Sequence, residues 1–143
     1  MPDQPWTEPD DAELRDILHG TRTVAIVGVS PDPMRPSNEV YRYLVSRSGY
    51  ELYLVNPTIA ELDGRPVYPR LADLPVVPDM VDVFRRHDQL PSVGAEAIAV
   101  GAKTLWLQLG LWHEQVARDA HAAGLHVVMD RCLKVEHAGL LDG

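Results

Sequence analysis

The sequence predicts an α/β domain: a three-layer, doubly wound parallel sheet of about five strands with helices on both faces. Three observations predict it. Short apolar runs rich in Val, Ile and Leu recur five times along the chain. Segments of helical period, bounded by helix-start residues and a closing Gly, lie between most of them. The runs are continuous rather than alternating, as expected of strands covered on both faces.

Residues 1–8 read as a flexible lead-in draped over the body. Thr7, with Glu8, Pro9 and Asp10 behind it, reads as a helix start, because acids there complement the helix dipole. Leu14, Ile17 and Leu18 give the helix one apolar face, and Gly20 stops it. Thr23 to Val29 is the first buried strand. The next helix is expected over Ser37–Ser46, capped by Ser37 or Asn38, with Val40, Tyr41, Leu44 and Val45 toward the sheet. Glu51–Val55 is the second strand, stopped by Asn56-Pro57. Leu62–Pro69 reads as a turn-rich excursion with a helical turn near Leu71–Leu74. Met80–Phe84 is the third strand and Gln89–Val100 an Ala-rich helix closed by Gly101. Thr104–Gln108 is the fourth strand, His113–Ala123 a helix stopped by Gly124, and His126–Met129 the fifth strand, with a short tail after Cys132. Right-handed crossovers turn this alternation into a Rossmann-like sandwich.

The chain of 143 residues is the size of one domain, and residues 1–143 are read as one unit. Its formal net charge of −8 argues against non-specific binding to nucleic acid or an anionic membrane. No apolar run approaches the roughly 20 residues that span a bilayer. The N-terminus lacks the basic and apolar regions of a secretory signal. A single Cys offers no disulfide framework, and a cytoplasmic setting fits. No Cys pair or H-x-x-x-H spacing suggests a metal.

Ligands of an open α/β sheet bind beyond the carboxyl ends of the strands, near the point where strand order reverses. The residues at and just past the strand ends are Gly28, Ser30, Arg35 and Ser37; Asn56; Arg85, Arg86 and His87; Gln108 and Gly110; and Asp130, Arg131 and Cys132. Four of the 13 Lys and Arg residues fall there. In an acidic chain, arginines gathered on one sheet edge point to an anionic ligand, since Arg grips phosphate bidentately and helix N-termini add N–H groups. Taken singly, each is also an ordinary solvated charge.

The first loop narrows the choice of anion. A dinucleotide site wants G-x-G-x-x-G followed by an acid at the end of the second strand. Here Gly28-Val29-Ser30-Pro31-Asp32-Pro33 keeps only the first glycine, and the second strand ends in Asn56-Pro57. Pro31, Pro33 and Pro36 stiffen a longer loop that carries Ser30, Arg35 and Ser37.

The segments Ala25–Ser30, Arg35-Pro36-Ser37, Val55-Asn56-Pro57, Val81–Arg85, Trp106–Gly110 and Val128–Cys132 occur in order at strand ends. In them the chain, from about residue 12 to 137, resembles the stand-alone coenzyme A-binding proteins of bacteria and is similar to the nucleotide-binding half of the succinyl-CoA synthetase α subunit. That resemblance implies coenzyme A or an acyl-CoA as ligand, its nucleotide across the strand ends and its pantetheine arm along the crevice. It implies Gly28, Val29 and Ser30 at the pyrophosphate, Arg35 and Ser37 on phosphate, and Asn56 and Pro57 beside the adenosine. Phe84 and Arg85 would close over the nucleotide, Gln108 and Gly110 would meet the pantetheine, and Arg131 and Cys132 belong to the same edge. No histidine sits in a phosphohistidine-like motif, so ligase activity is not expected.

The leading expectation is therefore a non-catalytic carrier, sensor or partner module, with homo-oligomers and other protein partners left open. A second is a redox protein forming a Cys132–CoA mixed disulfide, although a lone Cys is more ordinarily a small core residue. A third, with less in its favour, is an NAD(P)-binding oxidoreductase. Asp79 and Asp82 flank and enter the third strand; Asp82 is expected to be a buried structural acid hydrogen-bonded to backbone N–H groups.

Overall fold

The computed structural model describes residues 5–142. Its chain order is α1 (Asp11–His19), β1 (Thr23–Val27), α2 (Pro36–Arg47), β2 (Glu51–Val55), β3 (Glu61–Leu62), β4 (Arg65–Tyr68), β5 (Met80–Val83), α3 (Leu90–Val100), β6 (Thr104–Leu107), α4 (Glu114–Ala122), β7 (His126–Val128) and α5 (Leu133–His137). The strands form one sheet in the order β3-β4-β2-β1-β5-β6-β7. All neighbours pair in parallel except β3 and β4. Leaving out β3, the parallel strands stand third, second, first, fourth, fifth, sixth, the doubly wound order with its reversal at β1.

The sheet thus has seven strands rather than five, and the correction lies in the segment read as an excursion. Asp63 (φ +53°) and Gly64 (φ +76°) turn β3 back onto β4. Asp-Gly is a strong hairpin signal because both positions need positive φ. Two prolines obscured it, yet Pro66 is tolerated because β4 has only the short β3 on its outer side. β4 then pairs with β2 through Leu54–Val67 and Val55–Tyr68.

Strand alternation divides the core in two. Ala25, Val27, Val81, Val83, Leu105, Leu107 and Val127 face Leu90, Val93 and Ala97 of α3 and Val116, Ala117 and Ala120 of α4. Val24, Ile26, Leu52, Leu54, Met80, Trp106 and Val128 face Leu14 and Leu18 of α1, Val40, Tyr41 and Leu44 of α2, and Leu133 of α5.

Several local expectations shift. The cap of α1 is Asp10, not Thr7: its carboxylate accepts the Glu13 N–H at 2.8 Å, and Glu13 reaches back to the Asp10 N–H. Neither Ser37 nor Asn38 caps α2. The cap is Arg35, whose side chain makes no capping bond, and Pro36 takes the first helical position because the N–H it lacks has no helical partner there. Val45 is exposed rather than core. The tail after Cys132 is helical, anchored by fully buried Leu133.

Of the lead-in, residues 1–4 lie outside the described residues. Trp6 donates its indole N–H to the Val127 carbonyl at 2.9 Å and packs edge-on against Trp112 with ring centroids 5.6 Å apart. A carbonyl of the edge strand is thereby satisfied, which blunts that edge for pairing.

The two acids of the β5 region have opposite fates. Burial works against the charge of Asp79, but the Arg22 and Thr23 N–H groups (2.9 and 3.2 Å) and the Lys103 ammonium at 3.6 Å hold its carboxyl below the usual range. Asp82 is 0% exposed, as expected, but the expected backbone bonds are missing: neither carboxyl oxygen has a hydrogen-bond partner. It stands between Ile26 and Trp106 on the neighbouring strands. Trp106 cannot help, because its indole N–H goes to the Arg131 carbonyl at 2.8 Å. Burial alone pushes the Asp82 carboxyl well above its ordinary value.

Two outcomes are expected. The folded-state value of Asp82 is raised, so the advantage of its neutral form is fully present below the unfolded value near ~3.9 and is lost as pH rises toward the folded one. Asp82→Asn removes that loss. In denaturant titrations, the stability of the variant minus that of wild type should grow as pH rises above the unfolded carboxylate value; a constant difference would contradict the assignment. Gly28 has φ +88°, and a Cβ there would stand 2.3 Å from the Phe84 carbonyl oxygen. Gly28→Ala should therefore cost roughly 2–4 kcal/mol in the same assay, from backbone strain and overpacking together.

Candidate functional site

The candidate site begins where β1 ends. The Gly28 N–H donates to the Val55 carbonyl at 2.8 Å, and the Phe84 N–H donates to the Val27 carbonyl at 2.8 Å, so the turn is pinned to both neighbours of β1. Arg85 packs its stem over this turn, its Cδ 3.0 Å from where a Gly28 Cβ would stand. Val29 is wholly buried, so only its backbone can serve the crevice.

The loop that follows is held by its own polar groups. The Ser37 hydroxyl oxygen accepts the Ser30 N–H at 2.9 Å, and the Asn38 amide donates to the Ser30 carbonyl at 2.9 Å. Ser37 and Asn38 were expected as helix caps; instead they hold the loop. The Ser30 hydroxyl oxygen accepts the Asp32 N–H at 3.1 Å, and Asp32 in turn accepts the Met34 N–H at 2.9 Å. Asn56 ties this loop to the end of β2: its amide donates to the Val29 carbonyl at 2.8 Å while its oxygen takes the N–H and hydroxyl of Thr58. The side chain of Asn56 is thus spent inside the protein, and Pro57 lies exposed beside it.

On the other side of Gly28 the loops after β6 and β7 are tied together. Gln108 is 5% exposed, and its carbonyl oxygen accepts the Leu133 N–H at the start of α5. Gly110, at φ +90°, donates its N–H to Asp130 at 2.7 Å, and Asp130 itself has φ +58°. Cys132, half-buried, is the extended residue before α5.

These placements put the singled-out residues on one edge but not in one role. Gly28, Ser30, Arg35, Ser37, Phe84 and Arg85 surround the reversal at β1. Asn56, Gln108, Gly110 and Cys132 flank it at its ends and shape the loops. The arginines also divide. Arg131 meets Glu8 at 3.4 Å and Glu136 at 3.5 Å, so its charge is already answered. Arg86 pairs loosely with Asp88 at 3.6 Å, both exposed. Among the described residues, Arg35 and Arg85 have no ion pair; Arg85 packs on the Gly28 turn and Arg35 stands just before α2 on the loop that leaves it. An open groove of about 260 Å³ lies here, lined by Phe84, Arg85, Arg86 and Gln89.

A larger cleft, about 570 Å³, opens at the opposite edge of the sheet, where α1, α3 and α4 end; Trp6, Asp79, Lys103 and His121 are among its walls. Size favours that cleft, but chemistry favours the carboxyl edge. There the glycine turn, the first turn of α2 and the two unpaired arginines meet.

Sequence reasoning missed one coupling between loops. The His87 ring donates from Nε2 to the Trp112 carbonyl at 2.9 Å and stacks on His113 with centroids 5.2 Å apart. His113 accepts the Val116 N–H through Nδ1 and so caps α4. The two histidines are 26 positions apart, and no local pattern links them.

Comparison with known proteins fits this geometry. Residues 22–138 match the family described as CoA binding domain. The chain is 38% identical over 130 residues to the uncharacterized protein YneT of Bacillus subtilis (strain 168), spanning 91% of this chain and 96% of that protein. A solved hypothetical protein from Pyrococcus horikoshii OT3 superposes with a TM-score of 0.90 at 36% identity over 96% of each chain. The chain is also 27% identical over 125 residues to the ADP-forming acetate–CoA ligase I of Archaeoglobus fulgidus, spanning 78% of this chain but only 18% of the ligase. With the family matched over most of its length, the chain belongs to the CoA binding domain family.

Proposed function

We propose that this chain binds coenzyme A or an acyl-CoA at the carboxyl edge of its sheet and acts as a non-catalytic carrier, sensor or partner module. The observation that carries the reading is a pair of arginines without an ion pair among the described residues, Arg85 with its stem packed on the Gly28 turn and Arg35 on the loop that leaves that turn, in a protein of net charge −8. Two cations left without carboxylates beside a glycine turn suit a diphosphate. The Ser37 hydroxyl adds a donor, since its oxygen already accepts from Ser30 and its hydrogen remains to give. An open groove suits a long ligand of which only part is gripped.

A second reading rests on Cys132. It is half-buried at the same edge, one residue from the Leu133 N–H held by Gln108. A mixed disulfide between its sulfur and the CoA thiol, formed by exchange with CoA disulfide and releasing one CoA thiol, would make the protein a redox carrier. Intact mass after treatment with CoA disulfide separates the readings: a mass increase of one CoA supports it, and an unmodified wild type removes it.

Binding itself is tested by thermal shift with CoA, acetyl-CoA, ADP and NAD. A ligand at 100 times its dissociation constant stabilises by about 2.7 kcal/mol, several degrees for a domain of this size. CoA should give that shift; a shift with NAD and none with CoA overturns the proposal. Arg35→Ala and Arg85→Ala should each weaken CoA binding by about 1.5–3 kcal/mol, the range for hydrogen bonds to charged groups. Arg131→Ala should weaken it less, because Arg131 is already paired; titration calorimetry on the three variants reads the order directly.

A further inference from the structure

Among the described residues, one buried carboxyl is left by the fold with neither oxygen partnered. Asp82 is fully buried and sits in β5, an interior strand beside β1, among apolar neighbours. Such a group is a standing expense to the fold, and native structures rarely keep one without a use. Its position suggests the use. On the face covered by α1, α2 and α5, side chains stack in layers along the strands. Asp82 shares a layer with Ile26 and Trp106. The next layer toward the carboxyl ends, two residues on, is Gly28, Phe84 and Gln108. At ~3.3 Å per residue that layer is about 7 Å away. Asp82 therefore lies one layer below Phe84, which lines the groove at the carboxyl edge, and is wholly covered by that layer.

We propose that Asp82 couples proton binding to anion binding, so that the crevice takes its diphosphate ligand tightly only while Asp82 is neutral. This rests on the reading of the carboxyl edge as a CoA site and adds its regulation. The ionised carboxylate would put a negative charge within the poorly screened interior, under the ligand's phosphates. By linkage the effect is reciprocal: a bound polyanion raises the proton affinity of Asp82 by the factor by which ionised Asp82 lowers ligand affinity.

The other groups on this face do not duplicate the effect. α1 turns only Leu14, Ile17 and Leu18 inward. From α2 the inward titratable group is Tyr41, whose hydroxyl bonds Asp63 at 3.1 Å on the far side. From α5 and its start come His137, bonded through Nδ1 to the Tyr43 hydroxyl, the Arg131–Glu136 pair, and Cys132. At the edge above stands Arg85, with its stem on the Gly28 turn. The 3′-phosphate of CoA gains charge near pH ~6, which strengthens binding as pH rises and so opposes the expected trend.

The test is CoA affinity by calorimetry from pH 5 to 9 for wild type and Asp82→Asn. Expected is a wild-type affinity that falls relative to the variant by about tenfold as Asp82 ionises, one pKa unit of coupling. Parallel curves with measurable binding overturn the coupling and leave the CoA reading intact. No CoA binding by wild type at any pH overturns both. Should the variant fail to fold, wild-type protein labelled with ¹³C at aspartate carboxyl carbons gives the same answer: the Asp82 midpoint should rise on saturation with CoA, and an unmoved midpoint refutes the proposal.

Discussion

The approach of the Phe84 carbonyl to Gly28 is the constraint on which the rest of this structure depends. β1 is the central strand at the reversal of the sheet, with β2 on one side and β5 on the other. At its end the chain must leave the sheet for α2 while both neighbours stay bonded, through Gly28 to Val55 and Phe84 to Val27. Only a residue without a Cβ, at positive φ, passes the β5 carbonyl there. The same close approach seats the stem of Arg85 on the turn. Thus one residue serves the topology and fixes where Arg85 lies.

Around that point the loops are stiffened by local polar side chains rather than by regular structure. Ser37, Asn38 and Ser30 bind one another across the β1–α2 loop, Asn56 joins it to β2, and Gln108 and Asp130 join the far loops. Most of these side chains spend their hydrogen-bonding capacity inside the protein. They hold the shape of the edge, and Arg35 and Arg85 stand outside any ion pair among the described residues. A rigid, pre-shaped edge reduces the ordering that binding would otherwise demand.

Much of this was legible before any coordinates. Five of the parallel strands and the helices between them follow from apolar runs and glycine stops, and the carboxyl-edge location follows from the α/β rule. What was not legible divides by cause. The β3–β4 hairpin was hidden because Pro66 and Pro69 argue against strands, and only its edge position makes the proline harmless. The Asp10 cap was misplaced by three residues because Thr7 offers the same chemistry. α5 is only five residues long, too short to show a period. The pairing of Arg131 with Glu8, the His87–His113 stack and the absence of partners for Asp82 are tertiary facts. Nothing in the spacing of those residues encodes them, and each changes how a neighbouring residue can act.

The two edges of the sheet differ in electrostatic character for a reason built into the winding. Every helix that follows a strand begins at the carboxyl edge and ends at the amino edge, so the free N–H groups and partial positive charge of α2, α3 and α4 gather at the first. Their C-terminal carbonyls gather at the second, with α1. The larger cleft therefore opens onto helix C-termini, beside Glu13, Asp16 and Asp79, a poor place for phosphate despite its volume. At the carboxyl edge the helix field, Arg35 and Arg85 act in the same direction, and Arg131 has had its charge taken by two glutamates. Asp82, wholly buried two residues before that edge with neither oxygen partnered, is pushed toward its neutral form by burial, which spares the edge a further negative charge.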